Sequence, residues 1–350
     1  MSWLITLAVL SALIFFHELG HYLAARFFGV FVEVFSIGFG KKIYGFRAFN
    51  TQWQLSAIPL GGYVKMRGQD DSDPLAKSSE NDSYNSKKPW QRIVILFAGP
   101  LANFILAWIF FLAIAQGDPK ALSPVIGTIV AESPASIAGL EPNDRVLYID
   151  NIEIKKWDDL SDIIKSSHSE LLFTIERNHR LVDVRVHPKV SESKNMFGET
   201  IYKPMVGISP SGELFAQKFG ILESISYANS ETYKAATLIF TGVGKLITGV
   251  VPTSEIGGVV SITKITADAA EYGWMSLLFI AALISVNLGI LNLLPIPALD
   301  GGHIMFNLYE MIRRKAPSEQ MLYRLTIGGW VILLGLMSLG LYNDIVRLTQ

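Results

Sequence analysis

Trp3-Leu4-Ile5-Thr6-Leu7-Ala8-Val9-Leu10-Ser11-Ala12-Leu13-Ile14-Phe15-Phe16-His17-Glu18-Leu19-Gly20-His21 decides the reading of this chain. Fourteen almost wholly apolar residues run into two histidines four positions apart with a glutamate between them. On a helix, positions i and i+4 share a face, so the two imidazoles can hold one metal ion. Glu18 lies about 100° away around the axis, placed to take a proton from a metal-held water without ligating the metal. A helix over 1–30 is long enough to cross a bilayer, and at 1.5 Å per residue His17 lies roughly 22 Å along a core about 30 Å thick. Ionisable residues at that depth are costly, which makes them functional by default. Met1-Ser2-Trp3 offers no basic stretch before the apolar run, so the segment reads as a retained span and not a cleaved leader.

The remaining composition agrees. Half of the 350 residues are hydrophobic and only 17% are charged, against about a quarter in soluble domains. A net charge of −1 without a basic stripe excludes a nucleic-acid binder. The absence of cysteine excludes disulfides and thiol chemistry. Three further spans are expected, at 93–115, 275–303 and 324–343. Residues 237–251 form a doubtful fifth, interrupted by Gly242, Gly244, Lys245 and Gly249. Residues 213–273 otherwise read as amphipathic helices lying on the interface, because Ile221, Ile225, Ala228 and Ala235 recur at helical spacing opposite Glu223, Glu231 and Lys234.

Orientation follows from the ten Lys and Arg between Arg26 and Arg92, and from Arg313, Arg314, Lys315 and Arg324 in a short loop. Both loops are expected to be cytoplasmic, with residues 116–273 on the other side. Residues 31–66 alternate apolar and polar residues, with glycine turns expected at Gly38-Phe39-Gly40 and Gly61-Gly62, the pattern of a small membrane-associated β-hairpin or sheet. Residues 67–92 are polar, acidic and serine-rich, as in a flexible linker.

A catalytic zinc takes three protein ligands and keeps one position open, so a third ligand is required. His168, His179 and His187 fall in the polar outer segment, and His303 is nearer. Asn292-Leu293-Leu294-Pro295-Ile296-Pro297-Ala298-Leu299-Asp300-Gly301-Gly302 breaks a span with two prolines and ends in a carboxylate. Unwound backbone at membrane depth is tolerated where it lines a cavity, and a buried carboxylate needs a cation. With one span between them, the two helices run in the same direction, so Asp300 emerges on the same side as His17 and His21. A turn aspartate ahead of a glycine pair is the alternative reading.

HELGH in a first span together with N-x-x-P-x-P-x-L-D-G-G in a later one resembles the site-two proteases, specifically the bacterial RseP-type intramembrane proteases. Gly38-Phe39-Gly40, Pro59-Leu60-Gly61-Gly62-Tyr63-Val64-Lys65-Met66 and Phe97-Ala98-Gly99-Pro100-Leu101-Ala102-Asn103 extend the resemblance along most of the chain. It implies zinc bound by His17, His21 and Asp300, Glu18 as general base, Asn292 at the substrate or oxyanion, and Gly38, Phe39 and Gly40 at the substrate. The stretch from Pro124 to Asp150 is similar to the PDZ domains of bacterial proteases, giving one PDZ domain at 119–212. The expected fold is therefore an α-helical polytopic membrane protein of four transmembrane helices, with the β region and an inserted α+β PDZ domain. The expected setting is a bacterial inner membrane with that domain on the periplasmic side. The expected partners are the lipid bilayer and single-pass membrane proteins already trimmed on the outer side. A metal transporter is the competing reading, but the later spans offer few ionisable residues for a polar path. A non-catalytic PDZ scaffold would have no use for Glu18.

Overall fold

The computed structural model describes residues 2–69 and 78–349. The chain divides into two compact units, one of residues 1–114 and 221–350 and one of Ala115–Gly220.

Four helices of the first unit are long and apolar enough to cross a membrane. They are α1 (Ser2–Phe27), α2 (Pro89–Gln116), and two later helices over Trp274–Asn292 and Glu319–Thr349. Proline opens α2, where its missing N–H costs nothing, and Pro100 recurs inside it, removing one rung of the ladder. After α1 the chain forms β1 (Val32–Ala48) and β2 (Thr51–Met66), an antiparallel pair of two long, bent strands. The first half of β1 is flanked on both sides by β2: Val32 pairs with Met66 and Ile37 with Gly62, while Val34 also pairs with Gln52 and Ile37 with Leu55. The tight turn lies at Phe49-Asn50, both with positive φ (51° and 61°), and not at the glycines. Gly38 sits inside β1 with φ +87°, where a Cβ would stand 2.7 Å from the Ile58 carbonyl oxygen. Phe35 and Trp53 stack at 4.4 Å, and Tyr22 of α1 meets Trp53 edge-on at 5.1 Å, fastening the sheet to the first span.

The linker expected over 67–92 is partly tied down. Residues 70–77 lie outside the described residues. Beyond them Phe31 N–H donates to Asp82 O (2.8 Å), Tyr84 N–H to Arg67 O (2.8 Å), and Arg67 pairs with Asp82 at 2.7 Å. Polarity there serves hydrogen bonding to the sheet.

In the second unit, a strand-like ladder joins β3 (Lys120–Leu122) and β4 (Ile126–Ile129) to two later strands over Ile208–Pro210 and Leu214–Ala216. Between them come α3 (Pro134–Ala138), β5 (Arg145–Ile149), β6 (Ile152–Glu153), α4 (Trp157–Ser166), β7 (Leu171–Arg177), β8 (Arg180–Val186), β9 (Lys189–Lys194) and β10 (Thr200–Met205). Strands β6-β5-β7-β8 form one antiparallel sheet over a core of Ile126, Val146, Ile149, Leu160, Phe173 and Val186. The later ladder strands are β11 (Ile208–Pro210) and β12 (Leu214–Ala216), so the helical region expected from 213 begins instead as a strand, because Leu214–Ala216 finds Lys120–Leu122 to pair with.

The expected doubtful span at 237–251 is the end of α5 (Ile221–Ile247), which is not among the four candidate crossings. Its small residues Ala228 and Ala235 pack against Ala107, Phe111, Ala282 and Val286, while Ile221 is left exposed. Next, α6 (Val259–Glu271) leads to α7 (Trp274–Asn292). The third span, expected to 303, stops at Asn292. After an unwound stretch α8 (Asp300–Arg313) begins, followed by α9 (Glu319–Thr349). Pro295 and Pro297 cannot continue the helical ladder. The turn folds back so tightly that a Cβ on Gly301 would lie 2.3 Å from the carbonyl oxygens of Leu293 and Leu294.

Arg177 closes the second unit electrostatically. It donates to Asp144 from Nε and Nη2 (both 2.7 Å), to Glu141 (2.7 Å) and to the Gly139 carbonyl (2.8 Å). Hydrogen bonding to Asp144 pushes the guanidinium above its ordinary pKa, and the Asp144 side chain is only 1% exposed. Removing the cation leaves that carboxylate buried and unpaired, which costs about 3–5 kcal/mol. Arg177→Met should therefore make residues 115–220 yield to limited proteolysis at a lower temperature than in the unaltered chain; an unchanged cleavage temperature would show that Asp144 is stabilised by its backbone contacts alone.

Candidate metal centre

His17 and His21 occupy successive turns of α1 and are 9% and 6% exposed. Asp300 opens α8 and turns Oδ2 to both, at 3.3 Å from His17 Nε2 and 3.4 Å from His21 Nε2. The two Nε2 atoms are 3.2 Å apart. No other group of three potential ligands occurs among the described residues. These separations test the fit to a metal: a tetrahedron with edges of 3.2–3.4 Å has its centre about 2.0–2.1 Å from each corner. That is the bonding distance of zinc to imidazole nitrogen and carboxylate oxygen. Two nitrogens and one oxygen facing one point also leave the fourth corner for water or substrate, the donor set of a catalytic zinc.

The outer partners orient the rings. His21 Nδ1–H donates to the Ile95 carbonyl at 2.9 Å, which fixes the tautomer with the Nε2 lone pair facing inward. Asn103, fully buried in α2, stands 3.2 Å from His17 Nδ1 through its amide nitrogen, and its Oδ1 has no partner. Turning that amide over brings Oδ1 to accept Nδ1–H, the arrangement a metal-holding His17 requires. Asn292, at the end of α7, reaches within 3.2 Å of His17 Nε2. α2 comes this close because of Gly99: a Cβ there would lie 2.2 Å from His21 Nε2.

The expected ligands are thus brought together, and Glu18 shares their cavity of about 370 Å³, beside Gly62 of β2. Phe39 lines it as well, whereas Gly38 and Gly40 shape the strand without lining it. His303 is outside the ligand group and faces an adjoining cavity. Sequence reasoning missed Asn103 and Gly99 as supports of the site. An uncharged polar residue inside an otherwise apolar span was the available signal for Asn103.

Four apolar spans enclosing a zinc-type triad define a multi-pass membrane metalloenzyme. The family model described as Peptidase family M50 matches residues 5–336. A protein of Campylobacter jejuni named "Putative zinc metalloprotease" is 47% identical over 99% of this chain and 94% of its own length. Proteins of the same printed name from Helicobacter pylori (strain J99) and Clostridium acetobutylicum are 39% and 34% identical, over 99% and 98% of this chain and 99% and 97% of theirs. The chain belongs to peptidase family M50 and is a zinc metalloprotease.

Purified protein should hold about one zinc per chain, and His21→Ala and Asp300→Ala should each lower zinc content and abolish peptidase activity. Gly99→Ala should do the same by displacing the His21 ring. Full zinc occupancy in the Asp300 variant would remove Asp300 from the site and return His303 to consideration.

Proposed function

We propose that the protein is an intramembrane endopeptidase of the RseP type that cuts membrane-spanning segments of single-pass proteins in a bacterial inner membrane. Such cleavage serves regulated proteolysis, as of an anti-sigma factor, or the clearance of remnant signal peptides. The observation that carries this reading is the His17–His21–Asp300 triad, with Glu18 on the same cavity, inside four apolar helices.

His17, His21 and Asp300 would hold the zinc, which would supply Lewis acidity to the scissile carbonyl and to a water. Glu18 takes the proton of the attacking water and returns it to the leaving amine. Asn292, whose amide already points at the site, donates to the developing oxyanion or positions the substrate backbone. A peptide bond inside a helix is shielded by its own hydrogen bonds, so the substrate unwinds before it is cut. Gly62–Met66 pairs with β1 along one edge and with no further strand along the other among the described residues, and it borders the cavity. An unwound substrate adds there as a strand, with Phe39 against its side chains and Gly38 and Gly40 shaping the bend that presents this edge.

The α+β unit of residues 115–220 is read as a PDZ domain facing the periplasm. Its antiparallel sheet, short α3 and longer α4 support that reading, as does the sequence from Pro124 to Asp150. Insertion of a folded unit directly after the second span also supports selection of substrates already shortened on that side.

Glu18→Gln should retain zinc yet lose at least about 10²-fold in peptidase rate, because the amide cannot accept the proton. Loss of zinc together with activity would make Glu18 a ligand or a structural prop. For the inserted unit, one transmembrane segment carrying either a short or a long folded outer tail is compared in intact enzyme and in enzyme lacking residues 125–189. The intact enzyme should cut only the short-tailed form, and the shortened enzyme both; equal cleavage of both tails by the intact enzyme rejects the selection.

A further inference from the structure

Alternation along the strands puts Phe35, Trp53 and Val64 on the face of the sheet that meets Tyr22 of α1, and Ser36, Gln54 and Tyr63 on the other. These three are direct cross-strand neighbours, Tyr63 beside Ser36 and Ser36 beside Gln54. Ser36 is 0% exposed and the nearby Ser56 2%. A buried hydroxyl is tolerated only when it is hydrogen-bonded, and both serines are. Ser36 Oγ donates to the Gly38 carbonyl at 2.9 Å, so its 2.9 Å contact with Ser56 Oγ uses the Ser56 proton. Ser56 Oγ in turn accepts from Gln54 Nε2 at 3.3 Å, and the second proton of that amide goes to Tyr63 Oη at 3.2 Å. Each donor is used once, from the Gln54 amide outward to Tyr63 and through two serines to Gly38.

Both ends of this relay bear on Phe39. Gly38, with φ +87°, drops out of the strand pairing, which passes from Ile37 to Phe39 with a shift of register. Its carbonyl is the group that Ser36 satisfies. At the other end the Tyr63 ring stacks on Phe39, with centroids 6.1 Å apart and planes 10° from parallel. Gly61, with φ +111°, completes the seat, since a Cβ there would overlap the Phe39 ring. Phe39 nevertheless stays 44% exposed and lines both cavities beside the metal ligands. A half-exposed aromatic on a bend ordinarily turns between rotamers; one held at its backbone by Ser36 and at its ring by Tyr63 is a fixed wall. We propose that Ser36, Ser56, Gln54 and Tyr63 are positioning residues that hold Phe39 rigid against the cleft, and that this wall limits the size of the substrate side chain accepted next to the scissile bond. The substrate class that follows is a membrane segment with glycine, alanine or serine at that position, and leucine or phenylalanine is excluded there. The inference rests on the endopeptidase reading.

The test places Gly, Ala, Val, Leu or Phe at each position within three residues of the cut in one transmembrane peptide. Cleavage by the active enzyme is read as kcat and KM, binding to Glu18→Gln protein by fluorescence anisotropy, and zinc content by metal analysis of every variant. At one position Ala should exceed Leu by about tenfold in kcat/KM and in affinity, as for a site without room for the added carbons. Phe39→Ala should reduce that ratio to about twofold, and Ser36→Ala and Tyr63→Phe should each move it the same way with zinc retained. Tyr63→Phe keeps the ring and removes only the oxygen that Gln54 bonds, so it reads the relay even where Ser36→Ala disturbs the sheet. Combining Ser36→Ala with Phe39→Ala should relax the ratio no further than Phe39→Ala alone, because both act through one ring. A uniform loss of kcat/KM with the Ala-to-Leu ratio intact in Ser36→Ala and Tyr63→Phe makes the relay a prop of the sheet and overturns the proposal. Additive effects in the double variant overturn it as well, as does equal use of Ala and Leu at every position by the intact enzyme. Peptides that bind Glu18→Gln protein with the Ala preference yet are never cut by the active enzyme sink the endopeptidase reading and leave the wall standing.

Discussion

Two imidazoles and a carboxylate meet within 3.4 Å inside a bundle of apolar helices, and the rest of the molecule answers to that cluster. Polar groups so placed are tolerable where each has a partner and the cluster has a cation. The fold supplies the partners from neighbouring backbone and amides: Ile95 O for His21 Nδ1 and Asn103 for His17 Nδ1. It supplies the room with small residues, since the Gly99 backbone lies against the His21 ring and Gly20 packs against Ala98. Ser285 of α7 bonds to the Asn103 carbonyl at 2.8 Å, so the helix that leads to Asp300 is tied to the one that orients His17.

Much of this was legible in the residues. His17 and His21 share a helix face by spacing alone, and the direction of the spans placed Asp300 on their side of the membrane. The four long apolar helices were legible because hydrophobic runs of this length have few other uses, although α2 and α9 extend beyond the apolar cores expected for them. What resisted was everything set by tertiary pairing. Leu214–Ala216 has no strong strand signal of its own and is a strand because Lys120–Leu122 lies beside it. The glycines of β1 read as turns, yet the chain reverses at Phe49-Asn50, because Gly38 serves close backbone contact and not reversal. Asn103 carried a signal that periodicity cannot rank: a single amide within the apolar run of residues 93–115.

The α8 helix shows how the carboxylate is held from both ends. Arg92, at the start of α2, reaches Glu310 in the last turn of α8 at 2.7 Å, with the two side chains 14% and 23% exposed. At the other end Gly301 and Gly302 lie against the carbonyls of the unwound segment. Asp300 therefore sits on a short rigid rod fixed to α2, the same helix that fixes both histidine rings. Site geometry here belongs to α2 as much as to the helices that carry the ligands.

The break between α7 and α8 has a geometric cause as well as a proline one. Asn292 and Asp300 are eight residues apart, and on a continuous helix they would be separated by about 12 Å along the axis. In the fold both reach the same atom, Asn292 at 3.2 Å and Asp300 at 3.3 Å from His17 Nε2. A regular helix could present one or the other to that point, never both. Unwinding residues 293–299 folds the chain back so that the second group arrives where the first already is, and its last two residues, Ala298 and Leu299, border the cleft, where unwound backbone is tolerated. The same stretch, through Ala298 and Leu299, becomes a wall of both cavities. One interruption in one span thus completes the ligand triad, brings the Asn292 amide beside it and shapes the cleft that both cavities share.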